Sequence, residues 1–214
     1  MKYVSCDYNS INNLKSNIWN EISLLINNLK AYLKDSDQKG KKNSLIFDPK
    51  GTNEAIKKYL SNKNWTTNWK IPDNFNTLGK DIDFFKKGVL LEVQFSNYPF
   101  LLNNVVRSEL FFKNKEILKK KIECLVIITK VHAFPSSNST LYFEQAKKQL
   151  DLLSNSKLFS IPIKLIGLTC EENKKNKIIW SKYKEARYSR ESVERKLMTL
   201  RVSKKRKKSF FTFK

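Results

Sequence analysis

Near the start of the chain Leu14, Ile18, Ile22, Leu25, Ile26, Leu29 and Leu33 recur at steps of three and four residues. This spacing draws one apolar stripe and predicts a long amphipathic helix. Residues 34–42 are polar and contain Gly40, which predicts a loop. A short segment, Ser44-Leu45-Ile46-Phe47, then runs into the turn signal Asp48-Pro49. A second helix is expected to begin near Asn53, with Glu54 close to its positive end, and to give way to a polar loop through Trp65 and Asn68 that ends near Pro72.

The pattern changes in the centre. Asp81-Ile82-Asp83-Phe84-Phe85 alternates, as does Val89 to Phe95, with Lys86-Lys87-Gly88 between them. Two alternating runs across a short glycine-containing break predict an antiparallel hairpin, here within residues 78–95. Beyond it, Tyr98 to Lys113 has helical spacing, and Ile122 to Thr129 is β-branched and apolar, as a buried strand would be. Leu141 to Leu153 predicts a helix with Thr140 near its N-cap, and Ile161 to Leu168 another strand. The segment after Glu171 is less regular. Strands alternating with helices and no internal repeat favour a single α/β domain over residues 1–214, built on a mixed sheet.

Charge narrows the choice of partner. The 214 residues carry a formal net charge of +22, which favours a polyanion: nucleic acid first, an anionic membrane surface second. From Glu171 to Lys214 there are 16 Lys and Arg against 5 Glu, so half of the charge sits on about a fifth of the chain. Its end, Ser203-Lys-Lys-Arg-Lys-Lys-Ser209, predicts a flexible basic tail over 203–214. No apolar run is long enough for a bilayer and the first residues lack a secretory apolar stretch, so the expected location is the cytoplasm. Cys6, Cys124 and Cys170 are odd in number and widely spaced, and His132 is the only histidine. Disulfide scaffolds, zinc ribbons and two-histidine chemistry are therefore disfavoured. Catalysis would have to rest on carboxylates, amides, lysines or hydroxyls.

Parity along the hairpin points to such carboxylates. Val89, Leu91, Val93 and Phe95 share one face of the second strand, and Glu92 and Gln94 the other. In the first strand Ile82 and Phe84 oppose Asp81 and Asp83. Folding about Lys87 brings Asp83 beside Glu92, a pair able to hold or orient around one hard cation. Acidic residues on a half-exposed strand are more often simply solvated. Against that, this pair lies in a strongly cationic chain, with Lys80, Lys86 and Lys87 around it, where a phosphate backbone would sit.

Asp83 followed after a short hairpin by Glu92-Val93-Gln94 resembles the core of the PD-(D/E)xK nucleases. The run Leu91 to Asn104, continuing through Val106 to Leu110, resembles one group of them far more closely, the BglII family of type II restriction endonucleases. Ser44 to Pro49, Asp81 to Phe84, Phe134-Pro135 with Ser137-Asn138-Ser139, and Arg187-Tyr188-Ser189-Arg190 carry the same likeness. The resemblance implies a restriction-endonuclease-like core, a central mixed sheet flanked by helices, with a small β-rich subdomain that contacts DNA. It implies Mg as cofactor, with Asp83 and the main-chain carbonyl of Val93 as ligands, Glu92 and Gln94 ordering waters, and Asn68 at the edge of the site. Ile82 replaces the superfamily's proline and Gln94 its lysine; the family shares this glutamine, whose amide can position a water but cannot act as a base.

Asn97, Arg107, Asn138 and Ser139 would read bases, and Tyr188 and Arg190 would reach the DNA from its other side. Their amides and guanidinium suit paired hydrogen bonds with purine edges. Tyr98, Phe100, Leu101 and Leu102 fit core or dimer contacts better. The implied protein is a homodimer that cuts double-stranded DNA at the palindrome AGATCT after the first A, leaving 5′ GATC overhangs, with a cognate DNA methyltransferase in the same host. A sequence-specific DNA-binding protein without catalysis, or a nonspecific cationic binder, would share the charge but not the cleavage.

Overall fold

The computed structural model describes residues 1–10, 16–39, 42, 44–137, 140–185, 191–204 and 210–214. Strand β1 (Lys2–Tyr8) leads to helix α1 (Ser16–Asn28), strands β2 (Ala31–Asp35) and β3 (Leu45–Phe47), helix α2 (Pro49–Ser61) and strand β4 (Thr66–Lys70). The hairpin β5 (Asp81–Lys86) and β6 (Val89–Val93) precedes helices α3 (Pro99–Lys113) and α4 (Lys115–Leu118). Strand β7 (Cys124–Lys130), helix α5 (Phe143–Asn155) and strands β8 (Ile163–Thr169), β9 (Lys175–Tyr183), β10 (Ser192–Lys204) and β11 (Phe211–Phe213) complete the chain.

The strands form two sheets. One is mixed and runs β1-β8-β7-β6-β5-β4, with β6, β7 and β8 parallel and the outer strands antiparallel. Its central strands are buried on both faces, as parallel strands usually are. Leu91, Val126 and Ile128 pack with Ile22 of α1 and Ile56 and Leu60 of α2. Leu90, Leu125 and Ile127 pack with Leu101 and Val105 of α3 and Leu150 of α5. The second sheet runs β11-β10-β9-β2-β3. It adds Leu33, Ile178, Val202 and Phe211 to the core of the α1 and α2 face, so both sheets share one apolar interior.

The hairpin, the helix over Tyr98–Lys113 and both buried strands lie where their periodicity predicts, and the fold is the expected mixed α/β arrangement with a second β-rich sheet. Several elements differ. The first helix stops at Asn28, and Leu29, Ala31 and Leu33 continue as alternate buried positions leading into and along β2. The second helix begins at Pro49, whose fixed φ suits the first helical turn. Residues 66–70 form an edge strand, and α5 begins at Phe143, later than Thr140 suggested. After Glu171, β9 and β10 pair antiparallel and Phe211–Phe213 pair with Val202–Lys204; residues 205–209 of the basic run lie outside the described residues.

Candidate active site

The carboxylates sit at one end of the β5–β6 hairpin. Lys87 and Gly88 form its two-residue turn, both with positive φ (47° and 87°), the geometry whose twist matches the flanking strands. The register pairs Phe84 with Leu91 and, carried one step further, sets Asp83 opposite Glu92. Asp83 Oδ2 accepts the Val93 amide at 2.8 Å.

The simple alternation expected for β5 is broken here. Ile82 belongs to the core of the α3 and α5 face, whereas Phe84 belongs to the opposite one. Across from Asp83, Asn68 has φ 49°, and beyond it Trp69, paired with Ile82, stacks on Phe85 at 4.0 Å. The left-handed residue redirects the side chains that follow it in β4, so Trp69 packs on the Ile82 side, while Phe84 packs in the other core.

Asp83 opens into a cavity of about 120 Å³ lined also by Asn53, Lys57, Asn68, Phe84 and Val93. Lys57 Nζ donates to Asn68 Oδ1 at 2.7 Å. Lys57 and Asn53 were not singled out by sequence reasoning. Their only signal is position on α2, exposed beside the stripe of buried Ile56 and Leu60.

Glu92 turns inward. It is 4% exposed and forms an ion pair with Arg107 of α3, which is equally buried. Arg107 also donates to Asn104 Oδ1 at 3.1 Å and to the Leu78 carbonyl at 3.3 Å. Gly79, at φ 130°, makes room: a Cβ there would lie 2.2 Å from Arg107 Nη1. The carboxyl pKa values of both acids are raised, primarily by burial. Glu92 is pushed up to about 8, with Asp83 adding to the rise and Arg107 opposing it. Two carboxylates whose charges are incompletely compensated favour a cation beside them.

The remaining expected site residues are placed as follows. Val93 and Asn68 line the cavity with Asp83. Gln94 is half-buried just past β6 and donates to the main-chain carbonyls of Ser96 and Asn97, so its amide braces its own loop and does not line the cavity. Asn97 is exposed with φ 45°. Arg107 is packed inside against Glu92, away from any open surface. Asn138, Ser139, Tyr188 and Arg190 lie outside the described residues.

Residues 9–168 match the family model for restriction endonuclease BglII/BglIII. The chain is also 47% identical over 197 residues to the type II restriction enzyme BglII of Bacillus subtilis, covering 91% of this chain and 88% of that one. The chain belongs to the BglII family of type II restriction endonucleases. Two solved structures agree. The crystal structure of BglII complexed with a DNA 16-mer matches with a TM-score of 0.95 at 44% identity, over 100% of this chain and 99% of that one. Free BglII matches with a TM-score of 0.79 at 40% identity over the same shares. This BglII-family chain thus has the conformation of the DNA complex more nearly than that of the free enzyme.

The metal expected of a restriction endonuclease can be tested against this donor set. Among the described residues no three His, Cys, Asp or Glu side chains cluster as metal ligands. Mg²⁺ does not need such a cluster, because it keeps several waters and takes one or two carboxylates with other hard oxygens. The Asp83 carboxylate and the Val93 carbonyl beside a cavity of this size fit that requirement; Glu92, engaged by Arg107, fits an orienting role better.

Proposed function

We propose that this protein hydrolyses phosphodiester bonds of double-stranded DNA at AGATCT, cutting after the first A to leave 5′ GATC overhangs. The observation that carries the reading is the pairing of Asp83 with Glu92 at the hairpin end, one facing a polar cavity and the other held by a buried arginine. Asp83 and the Val93 carbonyl would hold Mg²⁺. When bound there, the cation supplies Lewis-acid polarisation of a phosphate oxygen. Glu92 is fixed in direction by Arg107 and orients the attacking water. Lys57 places a positive charge at the cavity, where a phosphate oxygen would approach.

Recognition would come from Asn97 and Arg107 with Asn138, Ser139, Tyr188 and Arg190. Arg107, buried against Glu92 in the structure, would reach the bases only by leaving that contact. A homodimer suits a palindrome, because a two-fold axis brings one site to each strand. Leu102, Val106 and Leu110 support it: they are exposed at four-residue steps along α3 and form an apolar stripe with Tyr98. The net charge of +22 supports a DNA partner. Among the described residues no helix is long and apolar enough to cross a membrane. We place the protein in the cytoplasm, beside a methyltransferase that protects the host's own sites.

A second reading is a DNA-binding protein that recognises its site without cutting. The observation favouring it is the engagement of Glu92 by Arg107. A supercoiled plasmid with one AGATCT site separates the two. Linear product that requires both magnesium and an intact site supports the nuclease. An uncut plasmid that is still bound at the site supports the second reading.

A further inference from the structure

Strands β6 and β7 lie side by side and parallel, and their exits lead to the segments assigned above to base reading. Phe95 leaves β6 two residues before Asn97, and Leu141 follows Ser139 by two residues on the connection from β7 to α5. Lys130 stands at the end of β7 between these exits. It is fully buried, and its Nζ donates to the Phe95 carbonyl at 3.0 Å and to the Leu141 carbonyl at 3.3 Å. The rings of Phe47, Phe95 and Tyr142 surround the ammonium at 5.2, 5.7 and 5.0 Å.

Among the described residues no carboxylate pairs with this amine. Burying a cation without a counter-charge is costly, and rings and carbonyls offset only part of that cost. Burial alone lowers its pKa to about 7. A methionine of similar length would fill the same aromatic box without this penalty. What it would lack is the pair of hydrogen bonds that ties two chain segments, 95 and 141, to one point.

Building on the reading of a site-specific nuclease, we propose that Lys130 is a positioning residue that clamps the β6 and β7 exit loops together, so that both meet the DNA in one fixed arrangement. It touches neither the DNA nor the reacting atoms. Its effect is on discrimination, because base reading depends on placing several donors at once.

The test is a binding titration in EDTA with two duplexes, one carrying AGATCT and one with that site scrambled, at a single salt concentration. For Lys130→Met, the cognate Kd is expected to rise about tenfold, the value of one lost base contact, while the scrambled Kd stays put. The melting temperature at pH 6 should rise in the same variant. A parental ratio of the two Kd values, or equal weakening on both duplexes, would overturn the clamp. Should Lys130→Met not fold, Lys130→Gln keeps a shorter amide donor and carries the same comparison: a reduced ratio supports the clamp and an unchanged one overturns it. A parent protein without preference for AGATCT overturns the underlying reading and the clamp with it. A parent with that preference beside an equally selective variant overturns the clamp alone.

Discussion

Two neighbouring strand ends of the central sheet carry buried charge, and they handle it in opposite ways. Beside β6, Asp83 and Glu92 bring two acids together with one arginine, and Asp83 opens into a cavity. At the end of β7, Lys130 is sealed in by three rings and two carbonyls with no access to solvent. The first arrangement leaves room for a cation beside its acids; the second meets its hydrogen bonds but keeps an uncompensated cost of desolvation. The difference separates the site proposed to perform chemistry from the residue proposed to hold its surroundings in place.

The comparison breaks most severely at Asp83. Asp83→Ala should reduce magnesium-dependent cleavage to background while specific binding stays within a few-fold of the parent, because the carboxylate serves the cation more than the bases. Cleavage near the parental rate would remove the acid pair from the account. Arg107→Ala comes next. It leaves Glu92 buried without its partner, so a stability loss of about 3–5 kcal/mol is expected from denaturant unfolding. If Arg107 served only as a base reader, stability would hold and discrimination alone would fall, by about 1–3 kcal/mol.

Arg107 also marks where the sequence stops being legible. Its partner lies 15 residues away on a different element, so neither the spacing along α3 nor the resemblance, which made Arg107 a base reader, pointed to Glu92. The hairpin was legible because alternation on both sides of Lys87-Gly88 admits few other structures. Leu29 and Leu33 misled because their spacing continues a helical stripe and also, with Ala31, satisfies the two-residue period of β2. The half-exposed β4 has too little apolar alternation to betray a strand, and the left-handed angle of its Asn68 is a backbone feature that composition does not encode. Polar β9 and β10 carry little apolar alternation, since much of their surface faces water, so the second sheet was expected from the family resemblance and not from the pattern. Asp83 and Glu92 themselves were legible from parity, and their roles came from family resemblance.

Gln94 sharpens the comparison at intermediate size. It braces the loop at Ser96 and Asn97, so Gln94→Lys should cut more slowly than the parent in single-turnover assays, with extra magnesium failing to restore the rate. Equal rates would mean that the amide has no special role. Lys57→Met, which removes the cation lining the Asp83 cavity, should lower the same rate by about 10- to 100-fold, as the loss of a supporting contact does.

The smallest effect is on the closed side. Lys130 has a folded pKa near 7 against an ordinary 10.5, so between these values the unfolded chain binds the extra proton and stability rises with pH. The penalty of the buried amine is full below pH 7 and fades toward pH 10.5. Lys130→Met should therefore be more stable than the parent by about 1–3 kcal/mol at pH 6, with the gap narrowing by pH 9. A gap independent of pH would mean that the amine does not titrate in this window.

The most direct test of the central claim is a magnesium digest of DNA of known sequence with every fragment end read out. The account predicts discrete fragments whose ends all map to AGATCT, cut after the first A on both strands with 5′ GATC overhangs. Ends at another sequence, ends scattered without a shared site, or DNA left intact would contradict it.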